Sequence, residues 1–128
     1  MKEHEWDYIK YRIERANETF QEATLLAANE KWNGSINRLY YACFYIVTAI
    51  LATKNINPKT HLGVKTKFHQ EFIKTELLDK NLSELYSDLF AWRQSGDYDD
   101  FITFDRATVQ PLILQVKNFI ESVNNLIT

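Results

Sequence analysis

The apolar positions of this chain fall into five blocks, and each block keeps helical time. In the first, Trp6, Ile9, Ile13, Ala16, Phe20, Ala23 and Ala27 recur at alternating spacings of three and four, which places them on one face of a long amphipathic helix, roughly 4 to 30. Asn33 and Gly34 break the pattern, and Ser35 or Asn33 is suited to cap the next helix by accepting hydrogen bonds from its first N–H groups. The second block, SINRLYYACFYIVTAILATK, is apolar around most of its circumference and is expected to be the most buried element. Its exception is a stripe of Arg38, Tyr41, Tyr45 and Thr48, again three and four apart.

NINPKTHLG reads as a turn, because Pro58 disfavours helix in the residue before it. A shorter helix, about 61 to 74, then presents Val64, Phe68 and Phe72. Leu82, Leu85, Leu89 and Trp92 define a fourth helix, which Gly96 is expected to end by taking the left-handed conformation. Val109, Leu112, Val116, Phe119, Val123 and Leu126 define a fifth, starting between Asp105 and Thr108, with Pro111 acceptable in a first turn. Three long and two shorter helices joined by brief connections bury their stripes most simply as an antiparallel up-and-down bundle. The fold class is all-α, with residues 1–128 forming a single domain.

Composition narrows this picture without changing it. At 128 residues the chain is long enough for a real core. Three glycines and two prolines are too few for a turn-rich β fold or a disordered chain. The lone cysteine, Cys43, has no intramolecular partner, and a reducing cytoplasm is the expected compartment. The charged start MKEHEWDYIK is not a signal peptide, and no run approaches the roughly 18 uninterrupted apolar residues of a membrane span, so no membrane partner is expected. The histidines His4, His61 and His69 lie far apart, and neither a metal-binding spacing nor a glycine-rich phosphate loop is present, so no metal and no cofactor are expected.

Charge is unevenly spread although the net value is only -2. Residues 54 to 74 hold five lysines against Glu71, whereas 75 to 105 hold eight acids against Lys80 and Arg93. These are either two solvated faces or, for the lysines, a surface for an anion or a partner. The stretch WRQSGDYDDF, 92 to 101, concentrates the question. Arg93 near a helix C-terminus suits the helix dipole and could simply pin the loop. Asp97, Asp99 and Asp100 repel one another unless cations answer them, and Arg93, Arg38 and Lys59 are the nearest candidates.

Three runs taken together, SINRLYYACFY (35–45), KTHLGVKTKFHQEFIKT (59–75) and LYSDLFAWRQSGDYDDF (85–101), resemble in order and spacing the HEPN domain family, the higher eukaryotes and prokaryotes nucleotide-binding domain. The chain looks most like the small stand-alone bacterial and archaeal HEPN proteins. The resemblance implies a helical bundle, commonly a homodimer, that is frequently paired with a small nucleotidyltransferase as a toxin–antitoxin unit. It also implies, for many members, a metal-independent ribonuclease whose arginine is followed after four to six residues by a histidine. Such an arginine holds the phosphate while the histidine activates the ribose 2'-OH.

Arg93 matches that arginine, but the positions five to seven after it are Tyr98, Asp99 and Asp100. An exposed aspartate is too acidic, and a tyrosine too basic, to replace histidine near neutral pH. His61 is the substitute within the chain, swinging into the same groove from its own subunit or a partner's; otherwise it caps the third helix or bonds the 97–100 loop. Tyr41 and Tyr45 either pack in the core or stack on a base. The first expectation is a binding module whose groove, formed by Arg38, Tyr41, Lys59, Asp97, Tyr98 and Asp99 with Arg93 and His61, takes a nucleotide, RNA or a nucleotidyltransferase. The alternative is an endoribonuclease toxin with a variant site built on Arg93 and His61.

Overall fold

A computed structural model describes residues 3–98 and 103–128, with the backbone alone over 94–98. Five α-helices follow one another: α1 (Glu3–Ala28), α2 (Trp32–Thr53), α3 (His61–Phe68), α4 (Lys80–Tyr98) and α5 (Arg106–Ile127). A π-helical turn, His69–Ile73, continues α3. No strand occurs among the described residues. The expected all-α bundle is what the chain forms.

The helix with the least polar circumference takes the middle of the bundle. α2 packs against α1, α3, α4 and α5, burying Ile36, Leu39, Tyr40, Cys43, Ile46, Val47, Ile50 and Leu51 among others. By length and composition α2 could cross a membrane, but more than half of its apolar window is buried inside the bundle. α1 lies against it through small side chains, Ala16, Thr19, Ala23 and Ala27, which let two backbones approach closely. At the far end of that seam the buried Ser35 hydroxyl donates to the Ala23 carbonyl oxygen at 2.9 Å. Phe68, Tyr86 and Phe119 close the core from α3, α4 and α5, with ring centroids 5.8 to 6.1 Å apart.

Several boundaries differ from those the sequence suggests, and for one physical reason. Helix ends here are closed by backbone hydrogen bonds around non-glycine residues with positive φ. After α1, Glu30 (φ 59) sits where Glu30 N–H meets the Ala27 oxygen and Lys31 N–H the Leu26 oxygen. After α2, Asn55 (φ 59) has the same pattern, with bonds to Ala52 and from Ile56 to Leu51. Both are Schellman closures, which usually employ glycine. The chain's glycines do the opposite: Gly34, Gly63 and Gly96 all lie inside helices. Gly96 therefore does not end α4, and Arg93 is not in its last turn.

The break before α2 falls at 29–31, ahead of Asn33 and Gly34, and the N-cap is Lys31 without a side-chain bond. Neither Ser35 nor Asn33 caps it, because Ser35 is committed to Ala23 and the Asn33 Oδ1 accepts from the Phe104 N–H at 2.8 Å. α5 starts where expected, with the Asp105 carboxylate accepting the Thr108 N–H at 2.9 Å, a bond that holds the Asp105 pKa below its ordinary value. Pro111 falls in the second turn of α5 rather than the first, leaving Ala107 without the usual N–H donor. Trp6, read as part of the buried stripe, is 37% exposed.

Phe119 is completely buried and touches rings from two other helices, so Phe119→Ala leaves a cavity the bundle cannot close. It is expected to lower the unfolding free energy by about 3–5 kcal/mol, measured as a shift in the urea midpoint at unchanged slope.

Candidate functional site

The site grows out of the stripe on α2. Tyr40 and Tyr41 are consecutive, so their rings leave α2 in different directions. Tyr40 turns into the core, fully buried, against Tyr86 (5.7 Å) and Phe90 (6.1 Å) of α4. Tyr41 stays half-buried at the rim. Burial raises the pKa of the Tyr40 hydroxyl and pushes that of Tyr86 well above the ordinary phenol value, so both remain neutral.

α3 brings His61 to these rings. Its first turn is fixed by Thr60, whose side chain accepts the Gly63 N–H at 2.9 Å. A Cβ on Gly63 would stand 2.9 Å from that same oxygen, so the cap needs glycine there. Thr60, and not His61, therefore caps the helix. His61 instead joins its Nδ1 to the Tyr40 hydroxyl at 2.8 Å and lays its ring on Phe44, centroid to centroid 4.5 Å. Desolvation, and after it the nearby positive charge of Arg93, lower the His61 pKa below its usual 6.5. The imidazole is thus held neutral at physiological pH.

Arg93 enters from α4. Its guanidinium carbon lies 5.3 Å from the Tyr40 ring centroid and 5.6 Å from that of Tyr41. From α2 itself Arg38 stands 5.0 Å over the Tyr41 ring, bonded to Asn37 Oδ1 and paired with Glu22 at 3.6 Å. Two guanidinium groups thus stand near the Tyr41 ring, where cation–π attraction helps to fix them. Arg93, Arg38 and His61 all lie against Tyr40 or Tyr41.

Lys59 is not among them. Lys59 lies beyond Phe44, lining a separate pocket with Tyr8, Arg12, Thr48, Ile56, Asn57 and Pro58. Asp97 and Tyr98 belong to the last turn of α4 by backbone, with side chains outside the described residues, and Asp99 lies outside them altogether. Of the lysine-rich segment, Lys54 pairs with Glu71 at 3.6 Å and Lys65 stands over Phe90. His69 is exposed and shares a bond of 3.2 Å with the Ser83 hydroxyl. It lines a polar groove with Lys65, Thr66, Gln70, Ser83 and Ser87.

Sequence reasoning missed the contribution of α1. Arg12 and Arg15 both stand over the Tyr45 ring, at 5.4 and 5.0 Å, extending the row of arginine–tyrosine contacts past Tyr41. Tyr8, Arg12 and Arg15 are four and three residues apart beside the buried stripe, a spacing that could have revealed them. Among the described residues no group of three histidine, cysteine or carboxylate side chains gathers to hold a metal. Cys43 is buried, and burial pushes its thiol pKa far up, so it is chemically inert at neutral pH.

Known proteins have similar sequences. A UPF0332 protein from Thermotoga maritima is 36% identical over 93% of this chain and 90% of its own length. Two proteins of Methanocaldococcus jannaschii, each bearing the name "Putative toxin", are 39% and 29% identical, over 79% and 90% of this chain and 69% and 85% of their own lengths. The sequence model of the HEPN domain matches residues 9–126, nearly the whole bundle. With that coverage, the chain belongs to the HEPN domain family.

Proposed function

We propose that this HEPN module binds single-stranded RNA along the row of arginines and tyrosines beside α2, with Arg93 and Arg38 on phosphate oxygens and the Tyr41 ring against a base. One observation carries the reading: two guanidinium groups lie 5.0 and 5.6 Å from the centroid of the half-buried Tyr41 ring. Cations beside an aromatic face are what unpaired nucleotides require, since every base has a π-face and every linkage a negative charge. The same reading includes protein partners, a second copy of the chain or a small nucleotidyltransferase, for which Leu25 and Leu114 offer uncovered apolar surface.

A second reading has its own observation. Arg93 and His61 are 32 residues apart in the sequence, yet the fold places them on the same tyrosine, Tyr40. With Nδ1–H donating to the Tyr40 hydroxyl, the His61 Nε2 carries the lone pair. It could take the proton of a ribose 2'-OH as that oxygen attacks the neighbouring phosphorus. The bond from phosphorus to the 5'-oxygen then breaks, water protonates the leaving oxygen, and a 2',3'-cyclic phosphate remains. The toxin names of the two archaeal relatives fit this reading as well as the first.

Binding is tested by fluorescence anisotropy with a labelled single-stranded oligoribonucleotide. Arg93→Gln is expected to weaken Kd roughly tenfold to a hundredfold, and Tyr41→Ala to remove about 1–3 kcal/mol of stacking; unchanged affinity in both folded variants would sink the reading. Cleavage is tested with chelator present and end groups analysed. If it occurs, its rate should rise with pH through a midpoint below 6.5, because the lowered His61 pKa keeps the base deprotonated above that point. It should also vanish in His61→Gln. A midpoint above 7 would exclude His61 as the base.

A further inference from the structure

The pocket beyond Phe44 holds a cation unlike the others of the row. Arg15 is answered by Glu18 at 3.4 Å and Arg38 by Glu22 at 3.6 Å. Arg12 pairs with no carboxylate among the described residues. It is held by tyrosines instead: its Nε donates to the Tyr8 hydroxyl at 3.1 Å, and its guanidinium carbon lies 5.2 Å from the Tyr8 ring centroid and 5.4 Å from that of Tyr45. A carboxylate partner would cancel most of the charge, whereas aromatic faces fix the group and leave the charge in place. The Nη1 and Nη2 groups make no bond with any described residue.

Around it the pocket has the character of an anion site. Its volume is about 200 Å³, and its lining contains a second cation, Lys59, with the donor Asn57 and no acidic side chain. At roughly 30 Å³ for each water, the space suits a single phosphate group with part of its sugar. It falls below the roughly 300 Å³ at which pockets for whole small molecules begin. Phe44 forms one wall, and the same ring stacks on His61 at 4.5 Å. The pocket is therefore the immediate neighbour of the Arg93 and His61 centre, separated from it by one aromatic ring.

We propose that Arg12 and Lys59 form a second phosphate site, which takes the phosphodiester next along the RNA strand from the one held by Arg93. This rests on the RNA-binding reading and specifies it further: the strand runs from Arg93 and Tyr41 past Tyr45 and Phe44 into the pocket. Arg12 then binds phosphate through its two terminal nitrogens, as a fork matched to two phosphate oxygens, and Lys59 supplies the second charge.

The experiment is the salt dependence of oligoribonucleotide binding for the wild type, Arg12→Gln, Lys59→Gln and Arg93→Gln. For single strands the slope of log K against log salt changes by about 0.7 for each phosphate contact. Arg12→Gln and Lys59→Gln are each expected to reduce the slope by up to about that amount, and Arg12→Lys should restore most of it. Lys59 is exposed in the turn before α3, so its variant keeps the test valid should Arg12→Gln loosen α1. Inorganic phosphate and a nucleoside 5'-monophosphate are titrated in parallel.

Slopes unchanged in both pocket variants while Arg93→Gln still weakens binding would overturn the second site alone. No RNA binding by the folded wild type would overturn the underlying reading, and this site with it. Loss of monophosphate binding in the pocket variants, with RNA slopes untouched, would assign the phosphate site to a free nucleotide and overturn the path of the strand.

Discussion

The burial of Tyr40 is the constraint on which the site depends. Its ring is fully enclosed, yet its hydroxyl needs a partner, and the partner is His61 at 2.8 Å. An unsatisfied buried hydroxyl costs about 1–3 kcal/mol, so the core itself draws the first residue of α3 against α2. The same ring also receives the Arg93 guanidinium from α4. One aromatic side chain thus fixes the relative positions of three helices and of the two groups best able to handle a phosphodiester. Replacing it by an aliphatic residue of similar bulk could preserve the packing and would still release both.

Around that fixed point the cations differ in what holds them. Arg38 and Arg15 lean on tyrosines and are also paired with glutamates of α1. Such half-exposed pairs contribute little to stability, but they reduce the positive potential offered to a ligand. Arg12 keeps its charge, because Tyr8 and Tyr45 orient it without neutralising it. The gradient along the stripe, from paired arginines to an unneutralised one, gives the surface a direction despite a net charge of only -2.

Much of this was legible in the sequence. The three-and-four spacing on each segment located all five helices, and the stripe Arg38, Tyr41, Tyr45 identified the polar edge of the central one. Helix ends were less legible, because Glu30 and Asn55 close their helices through backbone bonds, a role for which neither residue type is a strong signal. Glycine misled as well: Gly34 lies inside α2, where a Cβ would make only ordinary contact with the Leu26 side chain at 3.4 Å, and not in a turn. The meeting of His61 and Arg93 is a tertiary event with no local signature; only the family resemblance suggested looking for it. Arg12 escaped because an arginine beside a buried stripe looks like ordinary solvated surface until the ring above it is seen.

The most direct test of the account is to observe which side chains an RNA strand touches. In protein labelled for NMR at histidine, arginine and tyrosine side chains, titration with a short single-stranded oligoribonucleotide should shift the resonances of His61, Tyr41, Arg93 and Arg38 together and leave His69 unmoved. Shifts confined to the groove of Lys65, His69, Ser83 and Ser87, with Tyr41 and His61 silent, would contradict it.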